Sequence, residues 1–201
     1  MIALVDYGMG NLRSVEKALQ RVGGKVRIVK SAREIAEADR LVLPGVGAFT
    51  DCMKNLGKQK LIEPLKEFIR GGKPFLGICL GYQALFERSE EGNEVGGLGI
   101  YKGSVVRFPQ SQLKVPQIGW NRIEIKKSNC PLLQGVSDGS YVYFVHSYFP
   151  QPADATIACT QTEYGLRFAS MVWNQNVFAC QFHPEKSQSV GLKMLENFVK
   201  L

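Results

Sequence analysis

The sequence has only two histidines, and its cysteines are neither closely paired nor even in number. The five cysteines, Cys52, Cys79, Cys130, Cys159 and Cys180, include no C-x-x-C pair. That argues against a disulfide framework and against a zinc site, and it favours a reducing, cytoplasmic setting. No apolar run approaches the ~18–20 residues of a membrane-spanning helix. The opening Met1-Ile2-Ala3-Leu4-Val5-Asp6 has no basic segment and too short an apolar run for an export signal, so none is expected. Internal repeats, low-complexity tracts and linkers are also missing, which predicts a single domain spanning residues 1–201. The formal charge is +7. No nucleic-acid motif or aromatic–basic interleaving accompanies it, so a solvated basic face is expected, with no nucleic-acid or membrane partner.

What is present is an ordinary globular balance, 45% apolar and 21% charged. Residues 2–6 are apolar without alternation, which predicts a strand buried on both faces. Asn11 is placed to cap a helix from Leu12 to Val22, ended by Gly23-Gly24. Strands at Val26–Val29, Leu41–Leu43 and Phe75–Ile78 follow, separated by helical stretches at Ala32–Ala38, Phe49–Leu56 and Ile62–Arg70. This alternation predicts an α/β fold with a doubly wound, mostly parallel sheet flanked by helices. The second half is dominated by strand-like segments at Ile100–Phe108, Arg122–Ile125, Tyr141–Val145, Thr156–Thr160, Phe168–Val172 and Val177–Phe182. An antiparallel extension of the sheet is expected there. A closing amphipathic helix, Val190–Lys200, turns Leu192, Leu195, Phe198 and Val199 inward. Gly8-x-Gly10 does not make a dinucleotide loop, because Arg13 stands where a third glycine is required; no cofactor is expected.

The stretch that carries chemistry is Gly77-Ile78-Cys79-Leu80-Gly81-Tyr82-Gln83. Apolar residues run into Cys79 and a helix-forming stretch, residues 83–88, runs away from it, so Cys79 sits at a sharp strand-to-helix turn flanked by small residues. A helix N-terminus favours a thiolate, and the Leu80 N–H points at an oxyanion formed on an acyl group attached to sulfur. Taken alone, the stretch equally fits a buried cysteine in a glycine-rich connection.

A cysteine nucleophile needs a base. His183 stands in Gln181-Phe182-His183-Pro184-Glu185-Lys186-Ser187, just after a strand. Glu185 can share a face with it in extended chain, or a turn can bring the carboxylate behind the imidazole. Cys79, His183 and Glu185 then supply nucleophile, base and orienting carboxylate. A solvated surface turn is the plainer account of His-Pro-Glu by itself. The Pro44-Gly45-Val46-Gly47 loop, also at a strand end, is flexible enough to supply a second oxyanion donor. As a plain β-to-α turn it would need no such role.

These three stretches resemble the signatures of triad-type (class I) glutamine amidotransferases. Asp6-Tyr7-Gly8-Met9-Gly10-Asn11-Leu12, Val115-Pro116-Gln117-Ile118-Gly119-Trp120-Asn121 and Tyr143-Phe144-Val145-His146-Ser147-Tyr148 are similar to the glutaminase subunits of imidazole glycerol phosphate synthases. The resemblance covers essentially the whole chain; Tyr82 departs from the usual Met, and Gln117-Ile118 from a frequent His-Met. It implies that Cys79 attacks the side-chain amide of L-glutamine, with Leu80 and either Val46 or Gly47 holding the oxyanion. It further implies that Gly45, Gln83, Glu91 and the chain at His146, Ser147 and Tyr148 bind glutamine, which makes His146 a pocket residue and not the base. The implied partner is a (β/α)₈-barrel cyclase subunit, docked over the strand ends near Asn11, Gln117, Trp120, Asn121, Tyr141 and Tyr143. Core packing is the plainer role for at least one of those tyrosines. Two other functions use the same residues: a glutaminase serving another synthase, such as one for surface-sugar amidination, and a cysteine hydrolase of small amides or esters.

Overall fold

The computed structural model describes residues 1–110 and 113–201. In chain order the elements are β1 (Ile2–Val5), α1 (Leu12–Arg21), β2 (Val26–Val29), α2 (Ala32–Ala36), β3 (Arg40–Leu43), α3 (Phe49–Lys58), α4 (Ile62–Arg70), β4 (Phe75–Ile78) and α5 (Leu80–Gln83). Then come β5 (Phe86–Ser89), β6 (Val95–Gly96), β7 (Tyr101–Arg107), β8 (Gln117–Arg122), β9 (Glu124–Ile125), β10 (Tyr141–His146) and β11 (Tyr148–Pro152). The chain closes with β12 (Ala158–Glu163), β13 (Arg167–Asn174), β14 (Val177–Cys180) and α6 (Gln188–Lys200).

The main sheet has eight strands in the order β2-β1-β3-β4-β14-β13-β12-β9. Its pairings are parallel from β2 through β14 and antiparallel beyond, as the change in sequence character predicts. The central strands are buried on both faces. Ile2 and Leu4 face the layer that holds Val15, Leu19, Leu195 and Phe198 of α1 and α6. Ala3 and Val5 face the opposite layer, with Phe49, Leu56 and Leu65 of α3 and α4. Each such Leu, Val or Phe contributes about 1.5–3 kcal/mol by leaving water, so the sheet is a rigid platform for what its strand ends carry. A four-stranded sheet, β11-β7-β5-β6, and the β10–β8 ribbon complete the molecule.

Several boundaries depart from the sequence reading. The helix expected over residues 83–88 stops at Gln83, and Phe86–Ser89 is strand β5, paired with β7 through Phe86 and Tyr101. The chain at Leu98 and Ile100 bonds back to the carbonyls of Ala84 and Leu85, which ends the helix after one turn. Strand β8 occupies Gln117–Arg122 instead of starting at Arg122; its large residues Ile118 and Trp120 face outward, so it lacks the inward apolar pattern of a core strand. Strand β11 contains Pro150 and Pro152, which an edge strand tolerates and a central one does not. The segment expected as a strand from Thr156 begins with a 3₁₀ turn at Ala155–Ile157. Asn11 precedes α1 as predicted but makes no side-chain capping bond. In α6 Met194 joins Leu195 and Phe198 in the core, while Leu192 and Val199 are half-buried.

Candidate active site

Parallel pairing of β4 with β3 and β14 puts three segments side by side at one sheet edge: Pro44–Gly47, Cys79–Gln83 and Gln181–Glu185. Cys79 has φ 53° and ψ −105°, a left-handed backbone that an ordinary residue adopts only under constraint. The constraint is visible in its neighbours. A Cβ on Gly81 would lie 1.9 Å from the Leu43 carbonyl oxygen, and one on Gly77 2.7 Å from that of Gly81. Only glycine lets β4 turn this sharply into α5 beneath its neighbour strand.

Cys79 opens onto a cavity of about 240 Å³. His183 lines the same cavity from the segment after β14, fixed by its own N–H to the Tyr143 carbonyl (2.9 Å) and by Ser187 Oγ donating to its carbonyl (2.6 Å). A 3₁₀ turn at Pro184–Lys186 swings Glu185 behind the imidazole, so the chain turns here and does not stay extended. Nδ1 meets Glu185 Oε1 at 2.8 Å, with both side chains almost wholly buried. His183 Nε2 and Glu185 Oε2 are buried with no hydrogen-bond partner among the described residues. Burial works against the imidazolium, but the Cys79 sulfur and the Glu185 carboxylate outweigh it and push the His183 pKa up to about 10. The geometry therefore offers a thiol and a proton-holding imidazole in one small chamber, with the carboxylate behind the imidazole.

His146, the second histidine, is tuned the other way. Burial pushes its pKa down to about 4, helped by the charge of His183 and opposed by its bond to the Tyr148 carbonyl. A neutral ring must donate from Nδ1 to that carbonyl (2.9 Å); its Nε2 lies 2.8 Å from Gln117 Oε1 and accepts there only with the Gln117 amide turned so that its NH₂ faces the ring. His146 lines the cavity as expected, and its environment makes it a fixed neutral group.

Among the other expected glutamine contacts, Gln83, Glu91, Ser147 and Tyr148 all line the cavity; Gly45 does not. Gln83 Nε2 donates to Tyr148 O (3.0 Å) and Gln181 Oε1 (3.1 Å), which leaves its own oxygen unspent by those two bonds. Glu91 Oε2 accepts from Phe49 N–H at 2.9 Å, which leaves Oε1 unspent by that bond. The carbonyl of Ser147 accepts from Phe108 N–H, so the carbonyls of this stretch are already committed.

The expected oxyanion donors are not all turned toward the cavity. Val46 and Gly47 line the cavity, with Val46 exposed and Gly47 at φ 103°. The Leu80 N–H, however, is directed at the Gly45 carbonyl at 3.4 Å. Tyr7, not singled out from sequence, anchors the same loop by donating its hydroxyl proton to the Pro44 carbonyl (2.9 Å).

Of the residues expected at a partner face, Asn11, Trp120 and Tyr141 are exposed, Trp120 by 45% and Tyr141 by 58%. Tyr143 is half-buried, edge-on to Trp120 with ring centres 6.1 Å apart. Asn121 is half-buried and donates to the Glu163 carbonyl. Gln117 is a correction: it is 3% exposed and turned inward onto His146, because alternate residues of β8 face opposite ways. Sequence reasoning also passed over Pro116 and Val145, which line the cavity, and Gln181, which is fully buried beside Cys79. Parallel pairing of β14 with β4 was the signal for Gln181, since Cys180 opposite Ile78 sets the next residue beside Cys79.

Among the described residues no group of three or more His, Cys, Asp or Glu could hold a metal ion. No helix there is long and apolar enough to cross a membrane.

A family model described as glutamine amidotransferase class-I matches residues 3–201. The chain belongs to that family. It is 52% identical to imidazole glycerol phosphate synthase subunit HisH of Syntrophotalea carbinolica, over 98% of each chain. With the same-named subunit of Methanosarcina acetivorans it shares 53% identity over 100% of this chain and 98% of the other. With that of Aquifex aeolicus it shares 54% over 97% and 94%. Among solved structures, PurLQS from Thermotoga maritima superposes with a TM-score of 0.79 at 18% identity, covering 99% of this chain and 97% of that one. A structure described as a glutamine amidotransferase superposes with a TM-score of 0.77 at 17% identity over the full length of both. At such identities the superpositions speak for the fold alone.

Proposed function

We propose that this chain is a single-domain glutaminase, the ammonia-producing subunit of an imidazole glycerol phosphate synthase in cytoplasmic histidine biosynthesis. Cys79 Sγ attacks the side-chain carbonyl of L-glutamine, and His183 Nε2 gives its proton to the departing ammonia. A γ-glutamyl thioester remains on Cys79. His183 then takes a proton from water, the hydroxide attacks the thioester, and glutamate leaves as the sulfur regains its starting state. Glu185 orients the imidazole through the 2.8 Å bond to Nδ1. The substrate ammonium fits the free oxygens of Gln83 and Glu91.

The observation that carries this reading is the cavity shared by Cys79 and His183, with Glu185 behind the histidine. At about 240 Å³ it lies below the ~300–1,000 Å³ of sites for drug-sized ligands. That size suits a free amino acid and disfavours a peptide substrate.

Ammonia released into water would be protonated and lost as a nucleophile, so the product must pass to a second active site. The partner of best fit is a (β/α)₈-barrel cyclase that uses the ammonia to form imidazole glycerol phosphate and an aminoimidazole carboxamide ribotide. It would cover the exposed face bearing Trp120 and Tyr141, next to the Asn11 turn. The Leu80 N–H, held by the Gly45 carbonyl, gives a physical reason for coupling: the oxyanion site is not assembled until the loop turns. A missing oxyanion donor costs roughly 10²–10³ in rate. Glutamine turnover, measured on the lone chain and again with the barrel subunit and its nucleotide substrate, should rise by about that factor. Full-speed turnover by the lone chain, unchanged on adding the liganded partner, would defeat the coupled reading.

A further inference from the structure

Gln181 lies directly after β14 and is fully buried, its own N–H bonded to the Ser170 carbonyl at 2.8 Å. Its side-chain Nε2 stands 3.7 Å from Cys79 Sγ, within hydrogen-bonding reach of sulfur. The direction of that amide follows from its neighbours. The Tyr148 carbonyl can only accept, so Gln83 must present its NH₂ there. The second hydrogen of the same NH₂ reaches Gln181, which must therefore present oxygen to Gln83 and NH₂ to the sulfur. Tyr148 O also takes the proton on His146 Nδ1, so the far end of this chain is anchored to the ring that burial keeps neutral.

We propose that the Gln181 side-chain amide is the built-in hydrogen-bond donor to the Cys79 sulfur. It supports negative charge on that sulfur before attack and loses its hold on acylation, because a thioester sulfur is a poor acceptor. The donor belongs to the rigid β14 side of the site and does not depend on the Pro44–Gly47 loop. The lone chain accordingly carries a prepared nucleophile even while its oxyanion site is unformed. This rests on the reading of Cys79 as nucleophile and adds a residue to its machinery.

The test uses the full chain with Gln181→Met and Gln181→Glu, following alkylation of Cys79 by iodoacetamide at pH 7 by mass spectrometry. Loss of one donor to a charged acceptor should slow alkylation about tenfold in the Met variant. The Glu variant should be slower still, since it keeps the shape and the contact with Gln83 but sets a carboxylate against the sulfur. A purely structural residue predicts the reverse order, with Glu close to wild type and Met impaired; that order, or wild-type rates in both, overturns the proposal. Should Met fail to fold by circular dichroism, the near-isosteric Glu variant decides alone, and wild-type alkylation there is the negative result. In the unsubstituted chain, an amide resonance of Gln181 that does not move when Cys79 is alkylated would equally refute the contact. Alkylation needs no glutamine, so failure here is distinct from failure of the nucleophile assignment, which would appear as turnover surviving Cys79→Ser.

Discussion

On the β14 side of Cys79, His183 is gripped by Glu185 and Gln181 by Gln83, through bonds of 2.8 and 3.1 Å. On the β3 side, the Pro44–Gly47 loop turns the Gly45 carbonyl toward the amide that an oxyanion would need. Both segments cross the same sheet edge, one residue step from strands in register with β4. They differ in what holds them. The β14 side ends in buried side chains with specific partners, whereas the loop exposes Val46 and is held through two carbonyls, by the Tyr7 hydroxyl and the long bond from the Leu80 N–H. On the proposed mechanism the charge-handling groups are thus set in advance, and the group that would stabilise the transition state is left adjustable. A site arranged in that way can wait for a signal without losing its nucleophile.

The most damaging way to break the prepared side is to remove the sulfur. Cys79→Ser should all but abolish glutamine turnover while circular dichroism and partner binding stay as in wild type, because the proposed mechanism makes this sulfur the acyl acceptor. Retention of more than about a hundredth of the activity would take Cys79 out of the mechanism, since loss of acid–base help alone costs ~10²–10⁴. His183→Asn should be nearly as severe. Glu185→Gln should cost less than His183→Asn, since it orients a base that remains present. If His146→Asn proves worse than His183→Asn, the two histidine roles are exchanged.

The adjustable side is tested from outside. Trp120 is exposed and paired edge-on with Tyr143, on the ribbon whose inward residue Gln117 touches His146. Trp120→Ala should weaken the complex with the barrel subunit about thirtyfold, the effect of losing one aromatic hot spot of ~2 kcal/mol. Iodoacetamide should still label Cys79 at the wild-type rate. A variant that binds normally and couples normally would remove this face from the interface; one that no longer alkylates would mean that the prepared side depends on the partner face after all.

The contrast also explains how much could be read from sequence. The elbow was legible because Gly77 and Gly81 are demanded by close backbone approach, and the triad because so few histidines are available to serve Cys79. The parallel half of the sheet was legible because β1, β4 and the Leu41–Leu43 part of β3 are unbroken apolar runs. Strand β8 was not, since its exposed residues are the large ones, and neither was β5, whose sequence suits a helix until Leu98 and Ile100 bond back to Ala84 and Leu85 just before it. The inward turn of Gln117 follows from the register of β8, which no local pattern announces. Gln181 was hidden for a related reason: a glutamine means little until pairing of β14 with β4 sets it against the thiol.

The smallest expected effect sharpens the comparison through pH. His183 and His146 are buried in one site and pushed in opposite directions, to about 10 and about 4. A histidine raised above its ordinary value near 6.5 adds stability that is full below 6.5 and is lost as pH climbs toward 10. A lowered one adds stability that is full above 6.5 and is lost as pH falls toward 4. His146 should therefore make the chain easier to unfold as pH drops from 6.5, by at most roughly 2 kcal/mol at pH 5. His146→Gln loses packing against Phe108, Phe144 and Phe168 and should be less stable at every pH. It should nevertheless lose less further stability between pH 6.5 and 5 than the wild type does. Urea midpoints across that range measure the difference. Parallel slopes in the two proteins would mean that His146 is not the neutral anchor of the Tyr148 carbonyl, and the chain of amides leading to Cys79 would lose its fixed end.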